Sequence, residues 1–337
     1  MEGIWLKILV TGASGFIGGH LVELLVEKGY DVIGMVRKTS DTSLLDELDV
    51  KKRIADLTEP QTLKGAVSGV DGVIHLAAYY TFHGKKELYE RVNVKGTRYL
   101  LEACLREGVQ RFVYCSTTEV IGPVKEIPAR EDHPPNPQYE YGRSKLRAER
   151  VVKEYGDRIK TTIIRPSGVY GPRNVDDISY YFITSFARNA LPTRIIVGSG
   201  KNVVQFAHVK DVVQGFYLAL EREESWGQTY FITEDKWYSY LEVYDILAEI
   251  TGREPPTVRV PKWLAKALVY PVHLVKVAAG KWDFMWDPKT VDAVTSDRAY
   301  SIEKAKRELG YSSRYSLRDG LSETVEWYRE KGIIRSC

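Results

Sequence analysis

The chain has 337 residues, with 48 Lys plus Arg against 45 Asp plus Glu and a formal net charge of +3. Its 44% hydrophobic and 28% charged residues are globular values, not those of a disordered or fibrous chain. The near-neutral balance argues against a nucleic-acid binder working by bulk electrostatics, and three cysteines (Cys104, Cys115, Cys337) offer neither metal-site spacing nor a disulfide framework.

No secretory leader is expected, because the first apolar run, Ile4 to Thr11, is only strand length and ends in a glycine-rich turn. Leu6 to Val10 reads as a buried strand, Phe16 to Lys28 as a helix and Asp31 to Val36 as the next strand. A short helix at Leu44 to Leu48 and a weak strand at Arg53 to Ala55 follow. Glu59 to Val67 is helical, with Pro60 in its first turn, and Val70 to Leu76 is a strand. Lys85 to Glu107 reads as one long helix, Arg111 to Cys115 as a strand, Arg143 to Tyr155 as a helix and Lys160 to Ile164 as the sixth strand.

Short apolar strands alternating with helices predict an α/β fold with a mostly parallel sheet covered on both faces. Beyond Pro166 the elements become smaller and more aromatic. Helices are predicted at Tyr180 to Ala190, Lys210 to Leu220, Ser239 to Ile250, Lys262 to Val269 and Leu317 to Glu330. Strands are predicted at Arg194 to Val197, Gln228 to Thr233 and Thr257 to Val260. The expected division is a dinucleotide-binding region over 1–165 and a smaller, mixed α/β substrate-binding region over 166–337, with chain crossings between them. No run of roughly 18 apolar residues occurs, so no spanning helix is expected. Trp263 to Trp286, rich in Trp, Leu, Val and Ala, reads as a lid or oligomer contact, with a membrane-surface segment as the alternative.

The loop Thr11 to Gly18 carries the strongest local signal. Gly12 permits a sharp turn after the first strand, Gly15 the approach of a pyrophosphate and Gly18 a close helix contact. Ser14, Phe16 and Ile17 complete the loop, and the helix opening behind it aims free N–H groups at phosphates. This is the fingerprint of a Rossmann-type dinucleotide site. At the end of the second strand stand Arg37 and Lys38, not a carboxylate. They favour a 2′-phosphate and hence NADP(H), with NAD(H) the alternative. Asp56 and Leu57, after the third strand, are placed near the adenine.

Tyr141 and Lys145, four residues apart, share one face of a helix. A neighbouring ammonium favours tyrosinate, so Tyr141 is expected to exchange a proton near neutral pH. Ser116 and Thr117 leave the C-terminal end of a strand, where open parallel sheets place their sites. No metal site is expected, and His75 and His208 read as structural or cofactor-adjacent, not as ligands.

With these motifs in view, the chain resembles the extended branch of the short-chain dehydrogenase/reductase superfamily. Further motifs are His75 to Ala78, Asn93 to Thr97, Arg165 to Arg173, His208 to Val212 and Leu309 to Tyr311. The resemblance implies that Thr117, Tyr141 and Lys145 form the catalytic set, with Ser116 the less favoured hydroxyl. It also implies that Ala77, Ala78, Pro166 and Ser167 line the cofactor channel and that Asn93 supports the central sheet. The subgroup most similar is that of 3β-hydroxysteroid dehydrogenases and dihydroflavonol reductases, which interconvert a secondary alcohol and a ketone. Glu119, Tyr180 and Tyr181 are then expected at the substrate, beside Thr117 and Tyr141. The rival reading is a nucleotide-sugar epimerase or dehydratase with bound NAD, whose diphosphate pocket Arg173, Asn174, Arg188 and Lys201 would supply. A noncatalytic dinucleotide-binding regulator is a third reading. The resemblance also implies a homodimer joined through the two long helices, Lys85 to Glu107 and Arg143 to Tyr155, while the cysteine usage makes a reducing cytosol, hence a cytoplasmic location, the expected compartment.

Overall fold

The computed structural model describes residues 6–81 and 83–335; the start of the Ile4 to Thr11 run and Cys337 lie outside them. The N-terminal half alternates as its hydrophobic pattern dictates. In order come β1 (Lys7–Thr11), α1 (Phe16–Glu27), β2 (Asp31–Val36), α2 (Ser43–Glu47), β3 (Lys51–Ile54), α3 (Pro60–Val67) and β4 (Gly72–His75). Next are α4 (Gly96–Arg106), β5 (Arg111–Cys115), α5 (Glu140–Glu154) and β6 (Lys160–Pro166). After α6 (Ile178–Ala187) and α7 (Val209–Glu221), β7 (Thr229–Ile232) returns to the sheet. The strand order is β7-β6-β5-β4-β1-β2-β3, and all neighbours are parallel.

Alternation of side chains along each strand sends them into two separate cores. Ile8 and Val10 of β1 join the layer containing α1 and α7, while Leu9 joins the layer under α3, α4 and α5. A Rossmann-type parallel sheet flanked by helices is therefore the fold, with a smaller mixed α/β region following it. That region adds α8 (Tyr240–Thr251), α9 (Lys262–Ala278), α10 (Pro288–Val294), α11 (Glu303–Leu309) and α12 (Leu317–Glu330), with short strand pairs. Its own core gathers Phe186, Leu247, Leu321 and Tyr328.

Two predicted helices differ from those observed. Lys85 to Glu107 is not continuous α-helix: a π-helical stretch, Tyr89–Lys95, precedes α4. The extra residue per turn lets Asn93 turn inward, where its side chain bonds the loop after β4. The helix predicted at Lys262 to Val269 runs on to Ala278 through Pro271. Proline removes one N–H from the ladder and sets its ring against the carbonyl one turn back; Pro271 itself is exposed, and the helix is held on its other side by α10 and the cavity wall.

Candidate active site

The glycine loop obeys steric limits that a Cβ would break. Gly12 has φ +71°, and a Cβ there would sit 2.9 Å from the Ala77 nitrogen. A Cβ on Gly18 would come within 2.0 Å of the Gly12 carbonyl oxygen. α1 begins directly behind the loop with Gly15 as its cap and no side chain bonded over its N-terminus. Gly12 and Ser14 to Gly18 all line one large cavity of about 1160 Å³. The cradle fits a dinucleotide pyrophosphate on backbone grounds.

The cavity continues past the ends of β2 and β3. Arg37 and Ser40 line it, whereas Lys38 does not. The chain turns here, the Ser40 N–H donating to the Arg37 carbonyl at 3.0 Å, and Lys38 stands at the corner of that turn. Asp41, the nearest carboxylate after β2, is bonded to the Ser43 backbone and hydroxyl at 3.0 and 2.6 Å. Asp56 and Leu57 both line the cavity. Partial burial works against the Asp56 carboxylate. The N–H and hydroxyl of Thr58, with Arg37 and Arg91, overcome this and hold it below the usual range. Arg91, which the sequence reading missed, faces the cavity from the π-helical stretch.

At the middle of the cavity stand Thr117, Tyr141 and Lys145, with Ala77, Ala78, Pro166 and Ser167 around them. Tyr141 is in the first turn of α5 and Lys145 one turn on, both buried. Ser116 and Thr117 have different surroundings. Ser116 donates to Glu149 at 2.5 Å, and Glu149 takes both arms of Arg165 at 2.8 and 2.7 Å. Thr117 lies at the cavity wall, its hydroxyl accepting from the Glu119 N–H at 3.2 Å.

Asn93 ties the two halves of this arrangement together. It accepts from the Tyr79 N–H at 2.7 Å and donates to Ser144 at 2.9 Å. Ser144 in turn donates to the Tyr141 carbonyl at 2.7 Å. The loop carrying Ala77 and Ala78 is thereby fixed to the turn carrying Tyr141. His75 is held between the hydroxyls of Thr11 and Thr97 at 2.7 and 3.0 Å, and burial lowers it to about 3.

Burial dominates the electrostatics of the Tyr141/Lys145 pair. Burial pushes the Tyr141 phenol well above the ordinary tyrosine range, and Cys115, Asp177 and Glu119 push it further. Lys145 does not pull it down to neutral pH. The ammonium lies over the Tyr114 ring, 4.2 Å from its centre, and is itself lowered to about 8 by burial. Burial thus favours the neutral phenol at Tyr141 and the neutral amine at Lys145.

The far end of the cavity is mainly apolar, with Glu119, Asp176, Asp177 and Arg298 its charged members. Phe182, Val204, Phe206, Phe284, Met285 and Trp286 line it, together with α9 and α10. Tyr180 and Tyr181 are not among the lining residues. Ile178 and Phe182, one helical turn apart on α6, hold that face, and Tyr180 packs on Tyr328 instead. Tyr80 stacks edge-on against Tyr141 and donates to Asp177, which burial raises to about 6. Glu119 lines the cavity but is paired with Arg298 at 2.7 Å, both largely buried. Arg298 stands far along the chain, and no local sequence signal marks it.

The residues proposed for a sugar-diphosphate pocket are engaged elsewhere. Arg173 holds Glu23, Asn174 donates to Ser179, and Arg188 donates to the Ile333 carbonyl. None of these three, nor Lys201, lines the cavity. No group of His, Cys, Asp or Glu suited to a metal occurs among the described residues.

A glycine cradle leading to a Tyr/Lys/Thr centre at the ends of a parallel sheet defines a nicotinamide-dependent enzyme. The comparisons agree: residues 8–232 match the model of the NAD dependent epimerase/dehydratase family, and the chain belongs to that family. It is thus an NAD(P)-dependent enzyme of the extended short-chain dehydrogenase/reductase superfamily. It is 30% identical over 334 residues to mouse (Mus musculus) "sterol-4-alpha-carboxylate 3-dehydrogenase, decarboxylating", covering 95% of this chain and 90% of that one. It is 28% identical to a 3-beta-hydroxysteroid dehydrogenase from Mycolicibacterium neoaurum, covering 96% and 92%. Among solved structures it is similar to UDP-glucuronic acid 4-epimerase from Bacillus cereus in complex with NAD. There the TM-score is 0.76 and the identity 26%, over 97% of this chain and 99% of that one.

Proposed function

We propose that the chain interconverts a secondary alcohol and a ketone on an apolar, hydroxysteroid-like substrate with NADP(H). The carrying observation is the mainly apolar far end of the cavity, combined with the engagement of Arg173, Asn174 and Arg188 in other contacts. A nucleotide sugar brings a diphosphate into that space and needs free cations there. Arg298 is the cation at that end, and Glu119 neutralises it. The similarity to sterol and hydroxysteroid dehydrogenases supports the same substrate class. Arg37 and Arg91 beside Asp56, with no carboxylate free at the end of β2, support NADP(H) over NAD(H).

The glycine loop and α1 would hold the pyrophosphate, Arg37 and Ser40 the adenosine ribose and its phosphate, and Lys145 the nicotinamide ribose. When bound, the nicotinamide supplies or accepts the hydride. Thr117 orients the substrate oxygen and Tyr141 moves its proton. The phenol donates its proton in ketone reduction and takes one back in alcohol oxidation. The hydrophobic wall positions the carbon frame and keeps water from the reacting carbon. The proposal extends to a homodimer through α4 and α5, for which light scattering should return twice the chain's 38.4 kDa.

The test is a paired binding and turnover screen of hydroxysteroids and flavonoid-like ketones against uridine- and thymidine-diphosphate sugars, with both cofactors. Net change in reduced NADP(H) with an apolar alcohol or ketone is the expected result. Tight sugar-nucleotide binding with inversion and no net reduction would establish the epimerase reading instead.

A further inference from the structure

α9 turns a row of large apolar side chains outward. Trp263 is 71% exposed, Tyr270 55%, Leu274 50% and Val275 70%. Trp263, Ala267, Tyr270, Leu274 and Ala278 follow one another at spacings of three and four, so they form one stripe along the helix. The opposite side is different: Ala265 is buried, and Ala265 and Val269 line the cavity. Leu268 and Leu191 do both, lining the cavity while 57% and 62% exposed. They are the rim, so the outer apolar surface and the inner apolar wall are continuous at the mouth.

The charge around this helix has one sign in excess. Residues 258–294 carry six Lys or Arg against three Asp, an excess equal to the formal +3 of the whole chain. Asp292 gathers Lys262 and Lys266 at 2.9 and 2.8 Å, and Asp283 holds Lys276 at 2.9 Å. Those three lysines are engaged with acidic partners, so the excess rests on Arg259, Lys281 and Lys289, all exposed on the segments before and after the helix. No helix among the described residues is long and apolar enough to cross a membrane. An apolar stripe flanked by exposed cations suits a lipid surface, with Trp and Tyr at the headgroup level and Arg259, Lys281 and Lys289 available to lipid phosphates.

We propose that α9 docks the protein on an anionic lipid surface, with the cavity mouth at Leu191 and Leu268 opening toward the bilayer. Docking rests on the helix alone. Delivery of substrate from the lipid into the cavity rests on the apolar-substrate reading above. A molecule dissolved in the bilayer then reaches Thr117 and Tyr141 along apolar wall, without crossing water.

The experiment is flotation of the full chain with vesicles of phosphatidylcholine, alone and with phosphatidylglycerol added. The chain is expected to float with the mixed vesicles and to be released by salt. The triple variant Trp263→Glu, Leu274→Glu, Val275→Glu should bind at least about tenfold more weakly, since it places three carboxylates in the stripe. Unchanged circular dichroism and dinucleotide binding would show that the variant is folded. A single variant, Trp263→Ser, should give a smaller loss in the same direction. Failure of the parent chain to float, or equal flotation of the triple variant, overturns the proposal. Self-association of the lipid-free chain that the triple variant abolishes also overturns it, because a second copy would then be the occupant. Flotation uses no substrate, so its failure is distinguishable from failure of the hydroxysteroid reading.

Discussion

At one end the cavity is walled by strand ends, glycine backbone and the first turn of α1; at the other by side chains gathered from residues 176 to 300. The cofactor end uses groups every chain possesses, N–H and C=O, and asks the sequence mainly for the absence of a Cβ. Its geometry follows from the parallel sheet, and it suits any member of the family. The substrate end takes its shape from particular large side chains on short elements, so it can change without disturbing the sheet. Tyr141 and Lys145 stand at the boundary, which is why one chemistry can serve many substrates.

The sharpest way to test that division is to remove the proton donor at the boundary. Tyr141→Phe should lower turnover by about 10²- to 10⁴-fold while both ends keep their ligands. Turnover of the variant measured beside dinucleotide affinity by calorimetry separates the two effects. Equal turnover would remove Tyr141 from the mechanism.

A structural lesion in the cofactor half should be nearly as large. Glu149 is buried with Arg165 and Ser116 behind the catalytic strand end. Glu149→Ala leaves the Arg165 charge without its partner and should cost about 3–5 kcal/mol in stability. A denaturant titration reads this as a lower midpoint with unchanged slope. A truncation at the substrate rim, such as Leu268→Ala, should move the midpoint far less, because that side chain is already more than half exposed.

The same contrast decides what the sequence made legible. The glycine loop, β2, β5 and α12 are written locally, in glycine spacing or in hydrophobic period. Tyr141 and Lys145 share a helix face by their spacing, whereas Thr117 is set apart from Ser116 only by the family resemblance. Distant or phase-dependent features were not legible. Arg298 reaches Glu119 across 179 positions, and nothing beside it in sequence points there. Tyr180 and Tyr181 sit in the right helix, but only the fold decides that Ile178 and Phe182 hold the cavity face. Proline is a local helix breaker, yet α9 continues through Pro271, held by its packing on α10. The π-helical stretch around Asn93 is invisible to a 3.6-residue pattern. β7 looked like part of the second region, since nothing local says which sheet a short strand will join.

A smaller effect probes the adenosine ribose. Arg37→Ala should weaken NADP(H) about tenfold or more, the range of a lost charge-assisted hydrogen bond, and leave NAD(H) nearly unchanged. Loss of both affinities to the same extent would assign Arg37 to the pyrophosphate or adenine. A wild-type preference for NAD(H) would reject the NADP(H) assignment outright.

The smallest expected effect is a pH dependence at the junction of the two ends. Burial lowers Lys145 to about 8, with Cys115 and Glu149 acting in the opposite direction. His75 is neutral at these pH values, and the Tyr141 and Tyr114 phenols facing the ammonium are held well above their ordinary range. Lys145 therefore titrates near pH 8 in the free protein, while these neighbours keep their charge. A bound dinucleotide offers hydroxyl acceptors and nearby phosphates, which favour the ammonium and raise its pKa. Binding is then linked to proton uptake. Affinity should be level below about pH 7, where Lys145 is already charged, and should fall as pH rises through 8. At pH 8.5, calorimetry in two buffers of different ionisation enthalpy should register a fraction of a proton taken up per dinucleotide. Lys145→Arg keeps the charge at every accessible pH and should flatten the dependence. A flat profile in the parent chain would place the ammonium away from the bound cofactor.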